Sequence, residues 1–392
     1  MTTQQLIDMV EHNSEMKALL ARSIARAGEV NPDRKTNPAQ TLSEFYDFVE
    51  RAITSMPWDV LEDQAASGLY EKIDQGLGYI YFISDIPLKE LEGRGYYNNS
   101  IQYVEPYRSW LISYAKAWGS FLDSEVSWND EYYKKVYEDK RFGLSEGWYE
   151  NPSNWKTFNH FFSRNLRDAS VRPIAAPEDS AIVASPADSK PQGVWEIDAD
   201  SRIVRREGVS IKSRAFHSIP DLIGPDSAYR HAFAGGTLTH TFLDIHDYHH
   251  YHFPVGGTVK EMRIILSDDA VGGLLTWDAQ CEKYVLQATG YGWQSIETRG
   301  CMVLVTGDFG LVALLPVGMS QISSVNYEPG LKVGDRVKKG DKLGYFLFGG
   351  SDFVLLFQKG VDFSLTAPAS GDGYRHILMG EEYGRLSRGK TR

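Results

Sequence analysis

The sequence predicts an α+β protein: a helical N-terminal domain over residues 1–150, followed by a mostly β domain over residues 151–392 built on a barrel-sandwich core. Three observations lead there. Apolar residues of the first part recur at helical spacing behind a capping signal. In the second part, short apolar runs alternate with Gly-rich turns, the pattern of strands. With 392 residues, 42% hydrophobic and 24% charged, the chain is long enough to bury two cores.

In chain order, a helix is expected from about Thr3 to Ala27, with Leu6, Met9, Val10, Leu19 and Leu20 on its buried side. Thr41-Leu42-Ser43-Glu44 has the form of a capping box, and Leu42, Phe45, Phe48, Val49, Ala52 and Ile53 follow at helical spacing. Aromatic residues then crowd together at Tyr96, Tyr97, Tyr103, Tyr107, Trp110, Tyr114 and Trp118, placed to pack against the second domain or to line its entrance. The run from His246 to Val255 reads as a strand ending in a turn at Pro254 and Gly256-Gly257. The longest apolar stretch, Met302 to Met319, is interrupted by Asp308 and several glycines and falls short of a spanning helix. Pro329 to Gly344 alternates apolar residues with turns in the manner of a lipoyl or biotinyl hammerhead sandwich. A carrier function on that fold would use Lys342. Its successors Leu343-Gly344 do not match a carrier motif, however, and a carrier has no need of clustered histidines.

The net charge of −11 disfavours nucleic acid and anionic lipid surfaces, both of which reward basic patches. The basic tail from Arg385 to Arg392 reads as a solvated end. Cys281 and Cys301 are too few for a disulfide framework, although counting leaves a single bridge open. The start, Met1-Thr2-Thr3-Gln4-Gln5-Leu6, lacks the pattern of a signal peptide, and no apolar N-terminal device for a bilayer is found. A cytoplasmic protein without stable membrane insertion is therefore expected, with a homo-oligomer left open.

Two motifs carry chemistry. In Phe348-Gly349-Gly350-Ser351 a serine stands behind two glycines after an apolar strand, where a tight turn could press its hydroxyl against the carbonyl just before it. Attack there and β-elimination would break the chain and leave a pyruvoyl group. The second motif, His246-Asp247-Tyr248-His249-His250-Tyr251-His252, holds four of the ten histidines in seven positions. Histidine titrates near neutrality and so can activate a hydroxyl or deliver a proton. On a strand His246, His250 and His252 would share a face and His249 the other. A metal site and a polar strand face remain open beside catalysis. The lack of Cys or Glu at ligand spacing weakens the metal reading, while Asp244 and Asp247 sustain it.

Asp247-Tyr248-His249-His250-Tyr251-His252-Phe253-Pro254 resembles the histidine motif of the phosphatidylserine decarboxylases. Phe158 to Leu166 with Val171-Arg172-Pro173-Ile174, Ser185-Pro186-Ala187-Asp188, and Gly349-Gly350-Ser351 resemble three further motifs of that family, in family order. The resemblance implies that Ser351 is the cleavage and pyruvoyl residue, cut from Gly350, and that His252 is the base deprotonating it. It further implies that Asp188 orients His252 and that His249 protonates the substrate carbon once carbon dioxide has left. The sequence departs from the family pattern at Asp352, Ser189 and His250. A carboxylate at position 352 is expected to stand beside the developing oxyanion and work against cleavage, or to help position a base.

The resemblance implies a self-made pyruvoyl cofactor from Ser351, no pyridoxal phosphate and no metal. The soluble helical segment resembles the branch that includes fungal tryptophan decarboxylases, and a free, aromatic amino acid is expected as substrate over a phosphatidylserine headgroup. Residues 1–350 and 351–392 would stay together after cleavage. An inactive relative acting as a binding protein would instead keep an intact chain.

Overall fold

The computed structural model describes residues 2–61, 68–204, 218–266, 275–286, 293–319, 325–366, 369–370 and 373–389. Helices α1 (Thr2–Glu11), α2 (Ser14–Val30), α3 (Leu42–Ala52), α4 (Leu69–Asp85), α5 (Tyr107–Leu122) and α6 (Asp130–Glu138) make up the first part. The helix expected over Thr3–Ala27 is two helices. Asn13 between them is extended, at φ −130°, and its side chain accepts the Met16 N–H, starting a new helix where the first stops. The expected apolar residues Leu6, Val10, Leu19 and Leu20 are buried all the same. Thr41 caps α3 through the Glu44 N–H at 3.2 Å. Glu44 reaches back to the N–H of Gln40 at 2.9 Å, one residue earlier than a capping box would place it.

Most of the aromatic run is core. Tyr107, Trp110, Tyr114 and Trp118 form the buried face of α5, and Trp118 meets Phe348 edge-on at 5.7 Å. A short helix, α7 (Phe158–Phe162), adds Phe158, Phe161 and Phe162 to the same apolar cluster, so this core runs across the expected boundary near residue 150.

The second part is antiparallel β structure, with α8 (Ile219–Ile223) against it. Two strands open it, β1 (Ile182–Ala184) and β2 (Lys190–Glu196), followed by β3 (Thr237–Leu243), β4 (His250–His252) and β5 (Gly257–Ile265). Next come the hairpin β6 (Leu275–Asp278) and β7 (Lys283–Leu286), then β8 (Thr298–Thr306), β9 (Gly310–Met319), β10 (Val325–Tyr327) and β11 (Arg336–Val337). The last are β12 (Lys342–Phe346), β13 (Gly350–Phe357), β14 (Val361–Leu365), β15 (Ala369–Ser370), β16 (Gly373–Tyr374) and β17 (Glu382–Arg388).

A seven-stranded sheet runs β11-β5-β8-β9-β13-β3-β2, and two three-stranded sheets, β1-β17-β14 and β10-β12-β4, complete the sandwich. Between the layers lie Leu243, Tyr251, Leu304, Leu343, Phe346, Phe353, Phe357, Phe363 and Tyr383. The other face of the large sheet, with Leu238, Val303, Val354 and Leu356, is covered by α8 and by Phe233. The stretch Met302–Met319 is thus largely the β8–β9 hairpin, and among the described residues no helix is long and apolar enough to cross a membrane.

The hairpin β6–β7 reaches out of the β part onto α4. Tyr284 Oη donates to the Thr36 carbonyl at 2.8 Å, and the buried Asp85 accepts the Leu275 N–H at 2.7 Å.

Candidate active site

Ser351 is the second residue of β13, a strand held on both sides: it faces Leu243 of β3 and Gly318 of β9. Its side chain is fully buried, and its hydroxyl has no hydrogen-bond partner among the described residues. A buried unpaired hydroxyl is destabilising and marks a site with another use. Of the two glycines before it, Gly349 has φ 149°, a value that L side chains rarely adopt.

His249 is the second unpaired group. It is fully buried, stacks on Phe162 with centroids 3.8 Å apart, and makes no ring hydrogen bond of ordinary geometry. Phe162 in turn contacts Phe348 at 5.3 Å, which brings His249 to the Phe348-Gly349-Gly350 approach to Ser351. Burial, then the charge of Arg164, pushes the His249 pKa well down, against a weaker opposing pull from the Asp247 backbone.

His252 ends β4, paired with Lys342 of β12. Its Nδ1 lies 2.8 Å from the Gly340 carbonyl, which can only accept, so Nδ1 carries the proton and Nε2 keeps the lone pair in the neutral ring. That lone pair accepts from the hydroxyl of Tyr248 at 3.1 Å. Burial holds the His252 pKa down to about 4, so the ring is a neutral base at physiological pH. Burial, with the charge of Asp188 behind it, pushes the Tyr248 hydroxyl well above its ordinary value and keeps it a donor.

Asp188 does not hold the His252 ring. Its carboxylate is paired with the buried Arg172, through Nε at 3.0 Å and Nη2 at 2.7 Å, and accepts the Met379 N–H at 2.7 Å. Gly340 and Tyr248 bond the His252 ring, and the charge of Asp188 pulls its pKa upward. The Ser-Pro-x-Asp segment still lies alongside, since the His252 N–H donates to the Pro186 carbonyl at 2.8 Å.

Asp352 corrects the expectation of a carboxylate beside the oxyanion. Successive strand residues point to opposite faces. Ser351 shares the inner face with Phe353 and Leu355, whereas Asp352 shares the outer face with Val354 and Leu356. There it pairs with the buried His240 at 2.8 Å, over which Trp195 stacks at 5.0 Å.

The histidine run is not one strand. His246 sits in a turn, β4 begins at His250, and His250 donates through Nε2 to the Ser163 carbonyl at 2.8 Å. Among the described residues no group of three or more His, Cys, Asp or Glu side chains is placed to hold a metal ion. Lys342 is the exposed first residue of β12, bonded to Asn165 Oδ1 at 2.6 Å. Both cysteines are free. An open cleft of about 500 Å³ in the helical part, lined by Trp58, Lys72, Lys135 and Glu138 among others, includes none of the four candidate residues.

Sequence reasoning missed Tyr248, Arg172 and Phe162 as partners of these groups. All three stand inside segments whose pattern was recognised, so their position in those segments was the available signal.

A family profile described as phosphatidylserine decarboxylase matches residues 158–385, which include Asp188, His249, His252 and Ser351. The chain is 34% identical to phosphatidylserine decarboxylase proenzyme 2 of Oryza sativa subsp. japonica over 208 residues, 53% of this chain but only 30% of that protein. It is 26% identical to decarboxylase iboD of Amanita muscaria, over 69% of this chain and 81% of the relative. It is 30% identical to the phosphatidylserine decarboxylase proenzyme of Alcanivorax borkumensis, over 67% of this chain and 87% of the relative. The last two alignments cover more of the chain than the part after Thr157 can supply, so both reach into the helical region.

Proposed function

This chain belongs to the phosphatidylserine decarboxylase family, and on that premise we propose that it is a self-cleaving proenzyme whose mature form decarboxylates a free aromatic amino acid to its amine. The observation that carries the reading is the buried, unpartnered hydroxyl of Ser351, directly after Gly349-Gly350.

In the self-cleavage, Ser351 Oγ adds to the Gly350 carbonyl carbon and its proton passes to His252 Nε2, the ring atom that the Gly340 contact leaves basic, once that atom exchanges its bond from Tyr248 for one from Ser351. The peptide C–N bond breaks as its nitrogen takes up a proton, and an ester remains. Loss of the Ser351 Cα proton then expels Gly350 as a carboxylate, and water converts the dehydroalanine to a ketone with release of ammonia. The pyruvoyl group so formed supplies an electron sink for the bond to carbon dioxide, with no pyridoxal phosphate. His249 is the proton donor to the substrate carbon.

The rings of Phe162, Phe348, Phe158 and Trp118 around the approach to Ser351 support an aromatic substrate. Phosphatidylserine is the second reading, favoured by the names of the rice and Alcanivorax relatives.

The test is the intact mass of the purified protein beside Ser351→Ala, followed by release of carbon dioxide from tryptophan, tyrosine, phenylalanine and dispersed phosphatidylserine. Two fragments meeting at residues 350 and 351, and an uncut variant, are expected. A whole wild-type chain would refute self-processing, and turnover of the lipid alone would replace the amino-acid substrate.

A further inference from the structure

His249 raises a problem of positioning. A proton donor must be held to a fraction of an ångström, yet no hydrogen bond of ordinary geometry reaches its ring. Among the described residues, stacking on Phe162 and the backbone leading into residue 249 fix it.

That backbone emerges from a closed turn. The Asp247 N–H donates to the Asp244 carbonyl at 2.9 Å, and Asp247 Oδ2 accepts the Asp244 N–H at 2.7 Å. Three parts of the molecule hold the turn. From α4, Tyr70 Oη donates to Asp244 Oδ1 at 2.7 Å. From the segment after α7, Arg164 Nη2 donates to the carbonyls of His246 at 2.7 Å and Asp247 at 3.0 Å. From the far side of the Gly350–Ser351 bond, His376 Nε2 donates to Asp247 Oδ1 at 2.8 Å.

We infer that His376 is a positioning residue for the decarboxylation, holding through Asp247 the turn that presents His249. The inference rests on the proposed function. Of the three anchors only His376 has an ordinary pKa near neutrality, and it is partly exposed, its side chain 39% accessible. Its imidazole faces Asp247, Asp188 and Asp244, stacks on His246 at 6.3 Å, and is flanked in sequence by Arg375, which pairs with Glu381. Arg172 offsets Asp188. Burial works against the His376 imidazolium, but the bond to Asp247 and the carboxylate charges outweigh it and raise its pKa above the ordinary value. The contact is therefore strongest with His376 charged, at lower pH, and weakens as pH rises through the raised pKa.

The test follows kcat against pH for wild type, His376→Gln and His376→Ala, each normalised to its cleaved fraction, with tryptophan and dispersed phosphatidylserine as substrates. Wild-type kcat is expected to fall on the alkaline side. His376→Gln keeps a donor that cannot titrate and should lose that fall, and His376→Ala should be slower by about tenfold at every pH with KM little changed. An alkaline limb retained in His376→Gln, or wild-type kcat in His376→Ala, would overturn the inference. A second readout needs neither cleavage nor turnover: in the uncut Ser351→Ala chain, the pH-dependent shift of the His249 ring resonances should disappear when His376→Gln is added. Its persistence there would equally defeat the inference. Absence of cleavage in wild type counts against the proposed function alone.

Discussion

Asp352 and His240 form a fully buried pair on an apolar sheet face, with Asp352 Oδ1 lacking a partner. Taking charges out of water is expensive, so such a pair persists only while both members are present. Burial raises the Asp352 pKa and outweighs the opposing pull of His240 and of the Phe353 backbone. Asp352→Ala removes the carboxylate bonded to His240 Nδ1 and should destabilise the chain by about 1–3 kcal/mol in urea unfolding. His240→Leu combined with Asp352→Leu removes both partners and should lie closer to wild type, a non-additivity that a double-mutant cycle reads directly. Equal, additive losses would mean that the pair is not coupled. Next to it along the strand, Ser351 faces the opposite layer, so one residue step separates this pair from the hydroxyl proposed to react.

Among the contacts between the hairpin β6–β7 and helix α4 is a buried carboxyl group, Asp85. Asp85 accepts from Leu275 N–H at 2.7 Å and Gln102 Nε2 at 2.6 Å, and burial raises its pKa to about 7. The folded state thus binds a proton that the unfolded chain releases near the ordinary carboxylate value of 3.8. Its contribution is present at pH below that value and is lost progressively as pH rises from about 4 to about 7. The stability of wild type relative to Asp85→Asn should therefore decline across this window, measured by denaturant unfolding at a series of pH values. A difference independent of pH would show that Asp85 stays ionised in the folded protein.

The position of β13 decides how the whole molecule responds to a cut at its edge. The strand lies inside the large sheet, paired along its length with β9 on one side and with β3 on the other. Beyond it, β17 pairs with β1, and Ile377 exchanges backbone hydrogen bonds with Ser189. Residues 351–392 should consequently co-elute with residues 1–350 in native size exclusion and separate only in denaturant. Separation under native conditions would contradict this arrangement of strands.

The helical spacing around Phe45 and Phe48, the alternation that became strands, and the types of residue at 188, 249, 252 and 351 could be read directly from the sequence, because periodicity and functional-group chemistry are local properties. The partners of those residues could not. Arg172 holding Asp188, Tyr248 and Gly340 holding His252, and His376 holding Asp247 depend on which segments the sandwich brings together. The turn at His246, where a strand was expected, and the break at Asn13 have the same origin, since the Asp244–Asp247 hydrogen bonds and the Asn13 cap outweigh a uniform pattern. The sequence by itself determined the fold class and which functional groups stand at the candidate positions. The tertiary structure alone decided which face Asp352 takes and which contacts tune each pKa, because burial and charge proximity are properties of three-dimensional neighbours rather than of chain order.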